Sequence, residues 1–397
     1  MKVCFDTFGC RLNKAEALQM EADYIADGWQ TTESHSNADL IVVRGCSVTA
    51  RAQQECEQHI AALRSRYPSV PVRVCGCLAQ TNHLGGHIHA PRHDPERKTV
   101  PMRTARAYLK AQDGCAGKCT FCIVPSFRGE SKSENFTALL DRAKRFIDAG
   151  YRELVVTGCN LALYASEGKR LPDLVAALAE LSGGNDPCRV RIGSLEPGAC
   201  ALDTVRAMAE HRNVCRFLHI PVQSASKTIL DAMNRPYTPD AVAELTDLAV
   251  SLMPGLGLGC DLMTGFPGES EVDFAMTKNF LQIHPFSNAH IFPYSERPGT
   301  TAAAMMPSVH KAVRSFRAHL LADVIQRMRR DFAESFLGKT VEIVVEDEEH
   351  CTGWTGEYLR CSAHGGKIPR RSIARVIVNK FSDDCLHGRL VQNNGRG

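Results

Sequence analysis

The run Gly114-Cys115-Ala116-Gly117-Lys118-Cys119-Thr120-Phe121-Cys122 sets three cysteines on one short loop, spaced C-x3-C-x2-C, with no fourth close behind. Thiolates are soft ligands that suit iron–sulfur clusters and zinc. A structural zinc site takes four protein ligands, and this loop offers three. Three thiolates hold three irons of a [4Fe–4S] cube and leave the fourth iron open to a substrate. The spacing therefore describes a reactive centre rather than a staple; the bland alternative is three core cysteines spaced by accident. Residues 108–113 read as a strand entering the loop, and Ile123-Val124-Pro125 leaves it.

Outward from the loop, strand-like and helix-like runs alternate across 105–335. Apolar runs near 107–111, 153–157, 190–193, 217–220, 257–262 and 289–292 read as strands, with helical spacing over 135–149, 171–181, 202–210, 239–252 and 269–283. Six βα units predict an α/β fold centred on a partial, TIM-like (β/α)6 barrel, with its site at the C-terminal strand ends. The three-cysteine loop follows the first of these strands. A helix over 309–336 closes the unit.

Residues 1–80 carry the same alternation on a smaller scale, with strands at 2–7, 39–43 and 70–74 and helices at 14–27 and 50–66. An open parallel sheet follows. Cys10, Cys46 and Cys77 each stand just after a strand, and strand ends of a parallel sheet share one edge, so the three loops converge. A glycine before each cysteine admits close approach of a bulky ligand. Singly, each cysteine reads as a small buried hydrophobe; jointly they read as a second three-thiolate site. Cys75 lies two residues from Cys77 and competes with it, and Cys4 and Cys56 are further candidates.

Between these units, 81–104 holds His83, His87, His89, His93, three prolines and Gly85-Gly86. With no helix or strand register to preorganise the imidazoles, it reads as a linker rather than a metal site. Runs at 340–346, 358–361 and 374–378, punctuated by glycines, predict a small antiparallel β-barrel over 336–397, of the kind that grips oligonucleotides. Lys367, Arg370, Arg371 and Arg375 are its candidate phosphate contacts, against the plainer reading of solvated charge.

The 397 residues are 44% hydrophobic and 23% charged, ordinary for a globular chain long enough for two or three domains. No apolar run approaches the ~20 residues of a membrane span, and no signal peptide opens the chain. Seventeen cysteines without an export signal predict metal chemistry in a reducing compartment, the cytoplasm, not a disulfide framework. The net charge of +3 is too small to argue nucleic-acid binding, so any basic surface is local.

The loop of Cys115, Cys119 and Cys122 resembles the cluster motif of the radical S-adenosylmethionine (SAM) enzymes. With the N-terminal trio, essentially the whole chain resembles the methylthiotransferases of that superfamily. The matching stretches are Gly9-Cys10-Arg11-Leu12-Asn13, Cys46-Ser47-Val48-Thr49 and Gly76-Cys77-Leu78-Ala79-Gln80 in the first domain. In the barrel they are Ser194-Leu195-Glu196-Pro197, His219-Ile220-Pro221-Val222-Gln223-Ser224, Gly265-Phe266-Pro267-Gly268-Glu269 and Phe292-Pro293-Tyr294-Ser295. The closing module resembles the TRAM domain, an RNA-gripping β-barrel.

That resemblance implies two [4Fe–4S] clusters, one on Cys115, Cys119 and Cys122 and an auxiliary one on Cys10, Cys46 and Cys77. It implies two SAM molecules per turnover: one methylates a sulfur held on the auxiliary cluster, and the other yields a deoxyadenosyl radical that removes a C–H hydrogen. Phe121, Asn160, Glu196 and Gln223 are the candidate SAM contacts. The implied partners are a tRNA substrate and an electron donor such as a flavodoxin or ferredoxin, with no membrane. The approach Leu109-Lys110-Ala111-Gln112-Asp113-Gly114-Cys115 most resembles the branch acting on N6-threonylcarbamoyladenosine 37 of tRNA. The other branches act on isopentenyladenosine 37 and on an aspartate of a ribosomal protein.

Three features depart from the family pattern: the short 81–104 segment, Arg44-Gly45 where Asn-Thr is common, and Glu134 where an arginine is usual. They bear on the domain interface and substrate contacts. Two other classes explain part of the chain. A zinc-dependent RNA-binding protein leaves the two sets of three cysteines unexplained. A radical enzyme using its second cluster as an electron conduit or sacrificial sulfur donor is separated by its product.

Overall fold

The computed structural model describes residues 1–81, 100–101, 103–184 and 187–391. The histidines of the linker, His83, His87, His89 and His93, lie outside the described residues. At the N-terminus, β1 (Lys2–Thr7), β2 (Gln30–Thr31), β3 (Leu40–Gly45) and β4 (Val72–Gly76) form a parallel sheet in the order β2-β1-β3-β4. β3 is buried along its whole length, because helices cover both faces, which is why it reads as a continuous apolar run. On one face α2 (Ala50–Arg66) contributes Cys56, Ile60 and Leu63; on the other α1 (Arg11–Ala26) contributes Met20.

Helix α1 is buried on more than one side. Met20 packs on its own sheet, while Ala15 and Leu18 pack on Tyr108 and Val155 of the central domain. The helix is a wedge between the two.

In the central domain, β5 (Ala107–Lys110) leads to a ribbon of β6 (Gln112–Asp113) and β7 (Lys132–Ser133) that brackets the three-cysteine loop. Next come β8 (Glu153–Thr157), a small hairpin of β9 (Ala165–Ser166) and β10 (Lys169–Arg170), then β11 (Arg189–Ile192), β12 (Phe217–Gln223), β13 (Gly257–Thr264) and β14 (Phe286–Pro293). Two parallel sheets, β11-β8-β5 and β12-β13-β14, are joined by parallel bridges Val190–Val214 and Ser194–His219. The six strands thus make a part-barrel. Around it lie α3 (Val124–Arg128), α4 (Phe136–Asp148), α5 (Leu171–Leu181), α6 (Ala199–Glu210), α7 (Lys227–Ala232), α8 (Pro239–Leu252), α9 (Glu271–Ile283) and α10 (Lys311–Glu334). Local chemistry starts these helices: Thr238 caps α8 with Pro239 in its first turn, and Ser270 and Asp273 form a capping box on α9.

Leu154, Val156, Val190, Ile192, Leu218, Leu258 and Leu262 build the main core. The opposite strand face carries charge at one end. Glu153 is fully buried and bonds Arg191 Nε at 2.7 Å and the Arg189 guanidinium, with Arg106 at 3.8 Å. Burial opposes its ionisation, yet Arg191, Arg189 and Arg106 hold its carboxyl well below the usual range.

These arginines also dock the last domain. There β15 (Thr340–Asp347), β16 (Thr352–Thr355), β17 (Arg360–His364), β18 (Ile373–Ser382) and β19 (Cys385–Leu390) close a barrel in the order β15-β16-β17-β19-β18. Arg191 donates to the carbonyls of Thr355 (2.8 Å) and Gly356 (3.1 Å), and Arg189 to those of Trp354 and Glu342 (both 2.9 Å).

One expectation for this module is corrected. The barrel is not wholly antiparallel: β17 and β19 run parallel. The turn at Asp383-Asp384, with both φ positive (52° and 58°), folds β19 back on β18, and β19 enters the sheet beside β17. Of the candidate phosphate contacts, Arg370 is exposed and Arg371 is half-buried. Arg370 donates to the Arg103 carbonyl at 2.7 Å, and the Arg371 guanidinium lies 5.7 Å from the Tyr151 ring centroid. Lys367 and Arg375 are exposed.

Removing the charge at Glu153 leaves buried arginines without a counterion. Glu153→Gln is expected to cost about 3–5 kcal/mol, read as a lower midpoint in urea denaturation. An unchanged midpoint contradicts the central role of this carboxylate.

Candidate active site

The loop of Cys115, Cys119 and Cys122 is held from two sides. Its Thr120 N–H donates to the Met233 carbonyl (3.1 Å), its Lys118 carbonyl accepts from Asn234 Nδ2 (2.8 Å), and its Thr120 carbonyl accepts from Ala302 N (2.8 Å). The three thiols are half-buried electrostatic neighbours. The Gly117 N–H donates to Cys115 Sγ at 3.3 Å, and Arg235 Nη1 to Cys119 Sγ at 3.0 Å. Burial pushes the Cys122 thiol up to about 11, and the Cys119 and Cys115 sulfurs add to the rise. A free thiolate there is disfavoured until a cation arrives.

Arg235 is a site residue that sequence reasoning missed, since nothing in Asn234-Arg235-Pro236 marks it. It also bonds Glu196 Oε2 at 2.6 Å, and the other Glu196 oxygen accepts from Asn160 Nδ2 at 3.1 Å. The Asn160 N–H donates in turn to Gln112 Oε1 at 2.9 Å, at the foot of the loop. Of the four candidate SAM contacts, Asn160 and Glu196 are thus brought together beside the cysteines. Phe121 packs edge-on to Phe266 (6.5 Å between centroids) in a separate apolar cluster, and Gln223 ends β12, buried, with φ +61°.

Cys10, Cys46 and Cys77 converge at the C-terminal edge of the N-terminal sheet. Burial pushes the Cys46 thiol up to about 11, and the Cys10 and Cys77 sulfurs are among its charged neighbours. The glycines before them also let the loops approach each other. A Cβ on Gly9 would stand 2.6 Å from Cys46 Cβ, and one on Gly76 2.8 Å from the Gly45 carbonyl oxygen. Cys75 points to the α1 face, its thiol 3.6 Å from the Val43 carbonyl, on the opposite side of the strand from the converging set. Cys56 supports Cys46, whose N–H donates to its sulfur at 3.4 Å.

The two sets meet across one polar interface. Arg128, on the helix that follows the radical-type loop, bonds Asn13 Oδ1 (2.9 Å), Glu16 (3.1 and 3.2 Å) and Asp113 Oδ1 (2.9 Å), and also reaches the Cys77 thiol. Glu16 pairs further with Lys110 (2.9 Å) and Arg44. Arg44, one of the departures from the family pattern, is a buried partner of this network; Glu134, another, faces Arg142 at 3.7 Å. Arg297 adds a strut to the Cys46 side, bonding the Ser47 carbonyl (3.0 Å) and Gln53 (2.8 Å). Cys159, a seventh thiol the sequence reading passed over, lies 3.7 Å from Asp113 Oδ1 with Cys10 and Cys77 among its neighbours.

Three cations (Arg44, Lys110, Arg128) face two carboxylates (Glu16, Asp113), so surplus positive charge lies beside Cys77. An arginine stands by each trio: Arg128 at one, Arg235 at the other. That suits soft, anionic iron–sulfur clusters. Among the described residues, the His/Cys/Asp/Glu groups drawn to within 4.8 Å of one another, the spacing of a single ion, lie elsewhere.

Burial opposes ionisation of Glu16, but Arg44, Arg128 and Lys110 hold its carboxyl well below the usual range; Lys110 and Arg128 do the same for Asp113. Stability from such depressed groups is complete above their unfolded values of about 4 and is lost as pH falls through the folded ones. Arg128→Ala is therefore expected to cost about 3–5 kcal/mol at pH 7. Its gap from the wild type in thermal or urea midpoint should narrow as pH falls below about 4; a gap independent of pH contradicts the ionic reading.

Residues 109–281 match the Radical SAM superfamily, and residues 2–92 match the Uncharacterized protein family UPF0004. Over 435 aligned residues the chain is 29% identical to the threonylcarbamoyladenosine tRNA methylthiotransferase MtaB of Bacillus subtilis, covering 98% of this chain and 96% of that one. It is 28% identical over 441 residues to the tRNA-2-methylthio-N(6)-dimethylallyladenosine synthase of Methylacidiphilum infernorum, covering 99% and 93%. The fold is shared with the radical SAM methyltransferase TsrM of Kitasatospora setae, at a TM-score of 0.56 and 12% identity over 76% of this chain and 77% of that one. No helix among the described residues is long and apolar enough to cross a membrane. With a radical SAM match on the part-barrel, a second match on the sheet that carries Cys10, Cys46 and Cys77, and methylthiotransferase relatives aligned over nearly its full length, the chain is similar throughout to the radical SAM methylthiotransferases.

Proposed function

We propose that the protein transfers a methylthio group to C2 of N6-threonylcarbamoyladenosine at position 37 of tRNA, using two [4Fe–4S] clusters and two SAM molecules per turnover. The observation that carries this reading is the joining of two three-thiol sets, one from each domain, across the Arg128 interface. Cys115, Cys119 and Cys122 would hold the radical cluster, and Cys10, Cys46 and Cys77 the auxiliary one. When bound, the clusters and SAM supply reductive sulfonium cleavage and a transferable methylthio group, chemistry that side-chain acids and bases cannot bring to an unactivated C–H bond.

The chain's own residues position and screen. Arg235 neutralises charge at Cys119 and fixes Glu196; Glu196 and Asn160 together offer an acceptor and a donor for the amino-acid end of SAM, with Phe121 and Gln223 as the remaining contacts. Arg128 performs the same neutralisation at Cys77. The part-barrel would act as the radical domain over 105–335, the first 80 residues as the sulfur-delivering domain, and 336–397 as an RNA-binding module behind a linker at 81–104. One-electron reduction needs an external donor of flavodoxin or ferredoxin type, and a tRNA substrate places the reaction in the cytoplasm.

A basic cleft supports the RNA partner. Lys14, Arg103, Arg106, Arg360 and Arg370 line a cavity of about 500 Å³, with Trp354 and Tyr358 stacked at 4.5 Å and 18° on its wall. Phosphates recruit such cations by counterion release. Lys14→Ala and Arg360→Ala are expected to weaken tRNA binding across different tRNAs and to reduce the slope of log affinity against log salt, each by about one unit. Unchanged slopes in both remove the cleft from the RNA surface. Lys367 and Arg375, exposed on the last domain, are secondary contacts.

The function itself is tested by mass spectrometry of tRNA nucleosides from cells lacking and re-expressing the protein. The reading predicts loss and return of 2-methylthio-N6-threonylcarbamoyladenosine. Isopentenyladenosine is the second reading, because relatives named for it match at nearly the same identity; a methylthiolated isopentenyl product would select it. Anaerobic reconstitution is expected to give about eight irons per chain, halved when Cys115, Cys119 and Cys122 become alanine. Alanine at Cys10, Cys46 and Cys77 should leave reductive SAM cleavage and abolish methylthiolation. Full iron in the first variant, or methylthiolated product from the second, overturns the assignment.

A further inference from the structure

A separate donor cluster lies on the face of the N-terminal sheet covered by α2. Cys4 and Asp6 are two apart on β1 and so project to the same side. His35 comes from the short turn His35–Asn37, and His59 from α2. Both histidines turn the same ring nitrogen to one carboxylate: His35 Nε2 stands 3.1 and 3.0 Å from the Asp6 oxygens, and His59 Nε2 2.6 Å from Oδ2. One donor atom each from Cys4, Asp6 and His35 lies within 4.8 Å of the other two.

We propose that Cys4, Asp6, His35 and His59 form a mononuclear zinc site, distinct from both three-cysteine sets. One sulfur, one carboxylate oxygen and two imidazole nitrogens are four donors of the types zinc takes in a closed, four-coordinate site. A Cys4 thiolate and the Asp6 carboxylate balance the charge of the ion, and binding releases the Cys4 proton to solvent. Each imidazole would bind zinc through Nε2 as the neutral tautomer that carries its proton on Nδ1, any proton on Nε2 exchanging to Nδ1 through solvent.

Ring contacts already orient the ligands: Phe8 stands 4.9 Å from the His59 ring, and Tyr67 5.8 Å from His35. Supporting contacts of this kind tune metal affinity. The site is reachable, with the His35, His59 and Asp6 side chains 27%, 32% and 19% exposed. Its place gives it a task. β1 continues through Phe8 into Cys10, and α2 starts just after Cys46, so a zinc ion would pin together the two elements that carry those cysteines.

The inference does not depend on the methylthiotransferase reading, and its test separates the two by element. Full-length protein is reconstituted anaerobically with iron and sulfide, exposed to zinc chloride, desalted and counted by inductively coupled plasma mass spectrometry. One zinc per chain is expected in addition to the iron. His35→Ala with His59→Ala should lose that zinc and keep the iron. Cys4→Ser, which preserves size, should weaken zinc more than about tenfold in chelator competition, and keeps the question decidable if the double variant misfolds. No stoichiometric zinc in the wild type, zinc retained by the double variant, or unchanged affinity in Cys4→Ser overturns the proposal.

Discussion

Arg128 ties the N-terminal sheet to the part-barrel by a contact that is both structural and electrostatic. Its guanidinium lies between Glu16 and Asn13 of one domain and Asp113 of the other, with Cys77 within reach. A buried ionic network of this kind contributes little net stability against an apolar equivalent, but it is costly to break and demands one geometry. Here that geometry fixes how the domain carrying Cys77 sits against the loop that follows Asp113. α1 acts as the wedge that carries half of the network, which is why it buries Asn13, Glu16 and Glu21 along with its apolar residues.

The same device recurs at the other end of the barrel. Glu153 gathers Arg189, Arg191 and Arg106, and the two strand arginines use their remaining donors on backbone carbonyls of the last domain. Both junctions therefore rest on arginines that present several donors in a fixed fork. Burial without such partners would be prohibitive for these charges. The docking also draws Arg370 and Arg371 toward the barrel, and Arg370 lines a basic cleft shared by all three domains.

Much of this was legible in the sequence. The strands of the barrel stand out because helices cover them and make them short apolar runs; α2, α5 and α8 match their spacing to the residue at both ends. Glycine-cysteine pairs after three strands sufficed to expect convergence, since parallel strand ends share an edge. What was hidden is instructive. β16 and β19 are short and interrupted by glycine, so they carry weak alternation, and the parallel β17–β19 pair depends on a two-residue turn with positive φ at aspartates. Arg128, Arg235 and Cys159 gave no signal, because each gains its meaning from a partner far away in sequence. The contacts that Arg370 and Arg371 make to Arg103 and Tyr151 were hidden for the same reason: charge in a loop says nothing about which domain lies against it.

The central claim is that both thiol sets carry clusters and that the Arg128 interface holds them side by side. Electron paramagnetic resonance of the fully reduced, reconstituted protein tests it most directly. Two paramagnetic clusters held at one interface couple, so the wild-type spectrum should differ from the sum of the spectra of the two triple-alanine variants. Arg128→Ala should move the spectrum toward that sum. A wild-type spectrum that equals the simple sum, or that shows a single cluster, would contradict the account.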